Sequence, residues 1–306
     1  MMNRDQSDYS ELISQKLIDH FINKHQLPKD FETPIVNYYI PLTSWINQKV
    51  KKFSPYIFGI NGPIGSGKST LADFIKLSIQ PHLNGGVAVL SLDDFYLTKI
   101  QRVRLSKTIH PLLKTRGVPG THDISMLLDY LNKLKNLKLG EDIMLPRFNK
   151  VEDDREPISK WNRVNGPIRL IIIEGWCLGN SPIKAKPLVE PINKLERSMD
   201  TKGIWRNYVN QQLIGGYQEI FSLVNTLLFL NPPNMNIINT WRAKQEKKLY
   251  VNDKKKKTNS MNQEKLTFFM QHFERWTADN LLEMPNKAHI IFNLGKKHNC
   301  VEAIYK

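Results

Sequence analysis

The chain has 306 residues and a formal charge of +15, from 44 lysines and arginines against 29 aspartates and glutamates. Its two cysteines have no C-x-x-C spacing, which argues against a disulfide scaffold or a zinc site and fits a reducing compartment. No apolar run reaches the length of a membrane span, so we expect a cytoplasmic protein, with the nucleus as a second compartment. The charge favours polyanionic partners, which could be nucleic acid, anionic lipid or phosphorylated small molecules.

Two amphipathic helices are predicted before residue 55. The second lies around residues 43–52, and the first begins near residue 12. The apolar positions of the first helix are Leu12, Ile13, Leu17, Phe21 and Ile22. Because nothing here resembles a site, we interpret residues 1–54 as a helical extension packed on the core, and residues 55–306 as one domain.

A phosphate loop follows the first predicted strand, at residues 56–60. Residues 62–70 match the pattern G-x-x-x-x-G-K-[ST] without departure, and a helical pattern follows them, as the motif requires. Glycines allow backbone N–H groups to approach an anion, assisted by the dipole of the next helix. Lys68 would reach the β- and γ-phosphates, and the Ser69 hydroxyl would bind Mg²⁺. The predicted nucleotide-binding residues are Gly62, Pro63, Ile64, Gly65, Ser66, Gly67, Lys68, Ser69 and Thr70.

A second buried strand, at residues 87–92, ends in two carboxylates. Ligands of open parallel sheets bind beyond the carboxyl ends of the strands, where these groups would lie. A carboxylate beside a γ-phosphate can accept the proton of an attacking hydroxyl. We therefore predict that Asp93 is the catalytic base and that Asp94 is a helix cap or structural partner; the sequence does not exclude the reverse assignment.

A third strand, at residues 169–174, is apolar almost throughout, as is typical of a strand covered on both faces. It ends in Glu174, the second acidic position of phosphate-loop proteins, which binds Mg²⁺ directly or through water. A helix cap or loop anchor is the alternative role for this carboxylate. Between the second and third strands, residues 116–123 are rich in turn formers and predict a loop, in which Asp123 or Thr121 can cap the next helix.

The remaining elements complete a layered fold. Residues 181–203 contain three prolines and are predicted to be an insertion or mobile loop. The predicted helices and strands that follow are helix 205–221, strand 224–230, helix 235–250, helix 261–282 and strand 289–292. Five strands with interleaved helices predict a three-layer, doubly wound α/β domain with a parallel sheet.

Several motifs together resemble the D-glycerate 3-kinase-like family, within the superfamily of uridine kinase, phosphoribulokinase and pantothenate kinase. They are SLDDFYLT (91–98), LLKTRGVPGTHD (112–123), LPRFNK (145–150), IEGWCLG (173–179) and WRAKQE (241–246). The resemblance covers about residues 59–276 and includes fungal ATP-dependent kinases of uncertain substrate. It implies a P-loop NTP hydrolase-type sheet of order 2-3-1-4-5, with ATP and Mg²⁺ as cofactors. The implied reaction transfers the γ-phosphoryl group to a hydroxyl of a small molecule, D-glycerate or a related metabolite.

The resemblance also implies which residues face the acceptor substrate. Arg116 would suit a carboxylate or phosphate, His122 a hydroxyl and Arg155 an anion, with Asp123 on the same side. A well-capped connection is the alternative interpretation of the 116–123 loop. The family has a Tyr-Asp-Lys-Ser run and a Gly-rich approach to Asp-Arg, where this chain has FNKV (148–151) and EDDR (152–155). Because this departure falls on the acceptor side, it calls glycerate itself into question while leaving phosphoryl transfer intact.

The basic helix at residues 235–250 resembles the lid of this family, and we place the lid at residues 235–262. A lid closes over the phosphates and excludes water. Arg242 is predicted to stabilise the transferring charge, with Lys244 or Lys248 assisting, although a solvated basic face is the alternative.

A flexible connector is predicted at residues 252–262. Its lysines are Lys254, Lys255, Lys256 and Lys257. They motivate an alternative function, a P-loop ATPase or nucleotide switch associated with nucleic acid, which we favour less than the kinase. No Asn-Lys-x-Asp guanine-reading motif occurs in the chain.

Overall fold

The structure is a computed structural model that describes residues 13–52, 54–251 and 263–306, with the backbone alone at 245–251 and 263. The strands are β1 (Tyr56–Asn61), β2 (Gly86–Ser91), β3 (Asp142–Leu145), β4 (Phe148–Asn149), β5 (Asp154–Arg155), β6 (Asn162–Asn165), β7 (Ile168–Gly175), β8 (Thr226–Asn231), β9 (Ile290–Leu294) and β10 (Cys300–Tyr305). The longer α-helices are α1 (Gln15–Lys24), α2 (Ile40–Lys52), α3 (Lys68–Ile79), α4 (Lys99–Thr108), α5 (Ile124–Asn136), α6 (Ala185–Val189), α7 (Lys194–Met199), α8 (Ile204–Ile214), α9 (Gly216–Ser222), α10 (Met235–Val251) and α11 (Gln263–Lys287).

A mostly parallel sheet forms the centre of the described chain, in the order β10-β9-β8-β1-β7-β2. The five parallel strands confirm the predicted order 2-3-1-4-5 and the doubly wound α/β fold. Strand β10, which pairs antiparallel with β9 at the edge, was not predicted. Its residues are mostly exposed, so it lacks the apolar pattern that identified the other strands.

Both faces of the sheet are buried under helices. Strand β7 shows why: Ile171 and Ile173 belong to one hydrophobic core, whereas Leu170 and Ile172 belong to the core on the opposite face. Successive side chains of a strand point to opposite faces, so an unbroken apolar run places a layer of helices on each side. These two layers hold the carboxyl ends of β1, β2 and β7 side by side.

The segment before β1 packs on the layer that contains α3. The ring of Phe21 lies 5.0 Å from the ring of Phe74, and Lys24 and His25 both contact the Asp73 carboxylate at 2.7 Å. Farther along, the Tyr38 hydroxyl donates to the carbonyl oxygen of Val301, at 2.6 Å. The division of the chain into units at residue 54 stays a prediction.

Residues 181–203, predicted as an insertion or mobile loop, contain the short helices α6 and α7. A buried ion pair fixes them: Arg275 of α11 contacts Glu196 of α7 at 2.5 Å, and Glu196 has no exposed surface. The same guanidinium donates to the carbonyl oxygens of Pro187 and Glu190. Prolines and mixed charge do not reveal such a long-range contact, so the sequence did not predict these two helices.

Candidate functional site

The phosphate loop lies between β1 and α3, as its motif predicts. Gly65 and Gly67 have φ angles of 82° and 95°, which L-residues with side chains rarely adopt, and Gly67 is the N-cap of α3. The Lys68 ammonium donates to the Pro63 carbonyl oxygen across the loop, at 3.0 Å. The first N–H groups of α3 have no partner within the helix, so the loop can bind an anion.

The two predicted metal ligands are in direct contact. The Ser69 hydroxyl donates to Oε1 of Glu174 at 2.7 Å, joining the start of α3 to the end of β7. Glu174 is only 4% exposed, and its backbone pairs with Ile60 of β1 and Ser91 of β2. Hydroxyl and carboxylate oxygens are hard ligands of the kind Mg²⁺ prefers, and Mg²⁺ typically takes one or two protein ligands beside waters and phosphate oxygens. This pair therefore fits a magnesium ion.

Asp93 lies on the 3₁₀ turn Leu92–Phe95 that follows β2. Its Oδ1 accepts from the Tyr96 hydroxyl at 2.7 Å, and its Oδ2 from the Lys150 ammonium at 2.6 Å. Burial alone would raise the pKa of this carboxyl, but the charge and hydrogen bond of Lys150 outweigh it, with help from Tyr96 and Lys68, so the pKa lies well below its usual value. Asp93 is therefore an anion at neutral pH.

Lys68 connects the acidic strand ends electrostatically. Burial lowers the pKa of its ammonium, while the nearby carboxylates of Glu174 and Asp93 raise it in part. The ends of β2 and β7 thus present two carboxylates to the same lysine of the phosphate loop. A ligand phosphate in this loop would lie within reach of one cation and two anions.

Asp94 performs a different task from its neighbour. Its Oδ1 accepts from the backbone N–H of Phe148 at 3.0 Å, and its Oδ2 from Arg147 at 3.2 Å. Burial raises the pKa of this carboxyl to about 6, although Arg147 and the Phe148 N–H both lower it. Asp94 therefore anchors β4 beside the turn that carries Asp93.

Three of the predicted acceptor-side residues form ion pairs within the protein. Asp123 accepts from the backbone N–H of Met126 at 3.1 Å, capping α5, and its other oxygen accepts from Arg155 at 3.2 Å. Arg155 also donates to the Tyr96 carbonyl oxygen at 3.1 Å. Arg116 pairs with Asp153 of the β4–β5 connection, which sequence reasoning did not single out. These residues form a framework around the Asp93 turn.

His122 is buried between two tyrosines. Its ring stacks on Tyr96 with centroids 4.6 Å apart, and its Nδ1 lies 2.6 Å from the Tyr217 hydroxyl, which also accepts from the Gly120 N–H at 3.0 Å. Burial lowers the His122 pKa to about 4, so the ring is neutral at pH 7. Its Nε2 has no hydrogen-bond partner within the described chain.

The helix predicted as a lid, α10, lies directly against the phosphate loop. A Cβ added at Gly65 would meet the backbone nitrogen of Arg242 at 3.4 Å. The Arg242 side chain is buried, with its guanidinium 5.6 Å from the Phe269 ring centre. His298, which stacks on Trp241 at 4.0 Å, contacts the Gly65 carbonyl oxygen at 2.7 Å.

Two other predicted basic groups differ in their placement. Lys244, one of the residues expected to assist Arg242, is exposed. The side chain of Lys248 and the whole of the 252–262 connector, with its lysines, lie outside the described residues.

Lys150 and Tyr217 are among the residues at the site that sequence reasoning missed. Lys150 is part of the LPRFNK motif, so a signal existed, but the motif does not show that its ammonium reaches Asp93. No motif marks Tyr217. Its role depends on α9 packing beside the 116–123 loop, which local patterns do not encode.

The parallel sheet, the phosphate loop and the two acidic strand ends define a P-loop kinase. The chain is 32% identical over 244 residues to an uncharacterized kinase of Schizosaccharomyces pombe, spanning 77% of this chain and 84% of the relative. It therefore belongs to the family of P-loop kinases that contains this kinase and D-glycerate 3-kinase, as the motifs predicted. It is a phosphotransferase, and the predictions of kinase fold and enzyme class are confirmed.

Two further comparisons define the extent of this similarity. The chain is 31% identical over 217 residues to the chloroplastic D-glycerate 3-kinase of Arabidopsis thaliana, covering 63% of this chain and 47% of that protein. It thus spans about half the length of the plant enzyme. The D-glycerate 3-kinase structure from Cryptococcus neoformans has the same fold, with a TM-score of 0.71 and 24% identity over 88% of this chain and 99% of that one. No family model matches the chain.

Within residues 13–52, 54–251 and 263–306, no helix is both long enough and apolar enough to cross a bilayer.

Proposed function

We propose that this protein is an ATP-dependent kinase that transfers the γ-phosphoryl group to a hydroxyl of a small metabolite, with D-glycerate or a related compound as the first candidate acceptor. The observation that carries the proposal is the convergence of Ser69, Glu174 and Asp93 around Lys68. Family membership supports ATP as the donor, since D-glycerate 3-kinase is a relative. Phosphoryl transfer requires positioning and charge stabilisation more than covalent chemistry, and these groups supply both.

The nucleotide would bind through the phosphate loop. Backbone N–H groups of residues 62–70, apart from Pro63, which has none, would surround the β- and γ-phosphates, and Lys68 would add a positive charge. The Lys68 bond to the Pro63 carbonyl oxygen holds the side chain over the loop, so its reach is already restricted. Arg242, on the helix that lies against Gly65, is the candidate for stabilising charge during transfer.

Ser69 and Glu174 are the residues that would hold Mg²⁺. When bound, the ion neutralises the phosphate charge that develops in transfer. The existing contact between their side chains brings two oxygen ligands together at the edge of the loop.

Asp93 would accept the proton of the acceptor hydroxyl. Its carboxylate is ionised and lies on the same side of the sheet as Glu174, at the carboxyl ends of the strands. A carboxylate has about four lone-pair positions, so the bonds from Tyr96 and Lys150 leave room for a substrate hydroxyl.

The acceptor would bind between the 116–123 loop and the β4–β5 hairpin, which meet at the Asp93 turn. The Arg116–Asp153 and Arg155–Asp123 pairs would contribute their free donors to an anionic group of the acceptor, and His122 would contact a hydroxyl. A neutral imidazole suits such a contact because it can donate or accept one hydrogen bond without a charge.

The alternative function, a nucleotide switch or ATPase that binds nucleic acid, is not favoured. Membership in a kinase family supports small-molecule phosphoryl transfer, and the lysine run that motivated the alternative lies outside the described residues. A salt-sensitive affinity for RNA or DNA would be the observation that revives it.

The test is a phosphorylation assay with Mg²⁺-ATP and a panel of hydroxy acids, nucleosides and sugars. We expect one acceptor class to give a phosphorylated product, lost in Lys68→Ala. Asp93→Asn should lower kcat by about 10²-fold or more while ATP affinity stays within about threefold. The matched variant Asp94→Asn should keep most of the activity, because that carboxylate faces β4. Wild-type turnover in Lys68→Ala would refute the mechanism, and equal loss of ATP binding in Asp93→Asn would make Asp93 a structural or metal-binding residue.

A further inference from the structure

Lys150 contacts the proposed base from outside the sheet. It lies in the connection between β4 and β5, a two-stranded hairpin that pairs Phe148 with Arg155. Its ammonium donates to Oδ2 of Asp93 at 2.6 Å, while Tyr96 donates to Oδ1 at 2.7 Å. Because Lys150 binds one oxygen of the carboxylate and the Tyr96 hydroxyl binds the other, the orientation of the carboxylate is restricted.

The hairpin turn that carries Lys150 is itself constrained. The Asn149 side chain accepts from the backbone N–H groups of Val151 and Glu152, each at 3.0 Å, which closes the turn. Arg116 donates to the carbonyl oxygen of Lys150 at 3.1 Å, and the Phe148 N–H donates to Asp94. The backbone of Lys150 is therefore tied to the 116–123 loop and to the turn that carries Asp93, which keeps its side chain within reach of the base.

We propose that Lys150 is a positioning residue for phosphoryl transfer, which aims the Asp93 carboxylate at the acceptor hydroxyl and links that carboxylate to the acceptor side through the β4–β5 hairpin. This inference rests on the proposed function. Lys150 acts through Asp93, and the proton of the acceptor hydroxyl goes to the carboxylate and not to the lysine, which is already protonated.

The charges around Asp93 determine what the removal of Lys150 does. Within the described chain, the titratable groups that interact electrostatically with Asp93 are Lys150 from the hairpin, Asp94, Tyr96 and His122 from the segments after β2, Lys68 from α3, and Cys177 after β7. Glu174, at the end of β7, interacts with Lys68 and Lys150. If Lys150 is removed, the cation that remains among these groups is Lys68. Of the groups that lower the Asp93 pKa, Lys68 has the smallest effect. Without Lys150, burial raises this pKa, as it does for neighbouring Asp94, whose pKa is about 6.

The experiment compares pH profiles of kcat/KM in the wild type, Lys150→Gln and Lys150→Arg at saturating Mg²⁺-ATP, with D-glycerate as the acceptor or, if it gives no product, the compound that the panel assay identifies. Lys150→Gln should lower kcat/KM by about tenfold or more and move its acidic limb up by about one pH unit or more. Lys150→Arg, which keeps a donor cation, should retain most of the rate and leave the limb near its wild-type position. The KM for ATP should stay within about twofold in both.

A matched control separates this role from general loss of charge on the hairpin. Arg147 precedes β4 and pairs with Asp94 at 3.2 Å, so Arg147→Gln removes a nearby cation that does not contact Asp93. It should leave the acidic limb unchanged. Thermal unfolding of each variant checks that the hairpin still folds.

Two results would overturn the inference: an unshifted acidic limb in Lys150→Gln, or failure of Lys150→Arg to restore the rate while the protein is folded. The proposed function fails separately. If Asp93→Asn is inactive and Lys150→Gln behaves as wild type, only the positioning role is wrong, whereas a fully active Asp93→Asn removes the base and with it both proposals.

Discussion

The substitution Tyr217→Phe tests how the acceptor-side loop is built, because it removes one oxygen atom from a fully buried position. Tyr217 is 1% exposed, and its hydroxyl serves two partners, the backbone N–H of Gly120 and Nδ1 of His122. Both partners belong to the 116–123 loop. The variant keeps the ring and its packing, so any change comes from the lost hydrogen bonds.

The expected cost follows from the number of groups left without a partner. An unsatisfied buried donor or acceptor costs about 1–3 kcal/mol, so two such groups should cost about 2–4 kcal/mol after partial relaxation. A domain of this size loses about 2–4 °C of Tm per kcal/mol, which predicts a decrease of roughly 4–16 °C. Because His122 loses the contact that orients its ring, we also expect the acceptor KM to rise by about threefold or more while the KM for ATP stays constant.

The assay is thermal unfolding together with steady-state kinetics, and Tyr208→Phe is the matched control. Tyr208 is half-buried on α8, its ring lies beside Gly120, and its hydroxyl makes no hydrogen bond within the described chain. The control should change Tm by about 1 °C or less and leave both KM values unaltered. If Tyr217→Phe also unfolds within about 1 °C of the wild type, the hydroxyl does not hold the loop, and our account of His122 is wrong.

Three further predictions address the metal, pH and a buried charge. Glu174→Gln keeps an oxygen for Ser69 but removes the charge. In a Mg²⁺ titration of activity, the Mg²⁺ concentration at half-maximal activity should therefore rise at least about tenfold. An unchanged titration curve would exclude Glu174 as a ligand. Burial lowers the pKa of His122 and His272 to about 4 from 6.5. The unfolded chain therefore binds more protons between these values, and each histidine removes up to roughly 3 kcal/mol of stability as the pH falls from 6.5 to 4. The midpoint of urea unfolding should fall over that pH interval, and it should fall less in His272→Gln than in the wild type. Equal decreases in the two proteins would contradict the lowered pKa of His272. Arg275→Met leaves the buried Glu196 carboxylate unpaired and should destabilise the protein by about 3–5 kcal/mol in denaturant unfolding; Glu196→Gln/Arg275→Met should recover part of this, and no recovery would argue against the ion pair.

The central part of the fold could be predicted because its signals are local. Strands β1 and β7 are apolar runs of strand length, and the glycine spacing of residues 62–70 determines a loop between a strand and a helix. Lys68 and Ser69 follow from that spacing. Glu174 lies at the carboxyl end of one buried strand and Asp93 just after the end of another, and both follow from the sequence because parallel strands end at one edge of the sheet.

The rest of the site could not be predicted because its contacts join distant parts of the chain. Lys150 and Asp93 are 57 residues apart, and His122 and Tyr217 are 95 apart. Arg116 pairs with Asp153, whose φ of 56° turns the β4–β5 connection. Residues 152–154 are all acidic, so the sequence alone gave no reason to select Asp153 as the partner. Such pairings are determined by tertiary packing and not by periodicity or propensity.

The departure of the hairpin from the D-glycerate 3-kinase pattern has a structural meaning. Phe148, which stands where the family has tyrosine, is buried, with the Arg116 guanidinium 5.5 Å from its ring centre. Asn149, which replaces aspartate, closes the hairpin turn and donates to Glu156 at 2.8 Å. Both replacements therefore act within the hairpin, whereas Lys150, which the family pattern shares, reaches Asp93. Because the altered residues support the turn and the retained residue contacts the proposed base, the departure leaves the contact with Asp93 in place, and glycerate remains the first compound to assay.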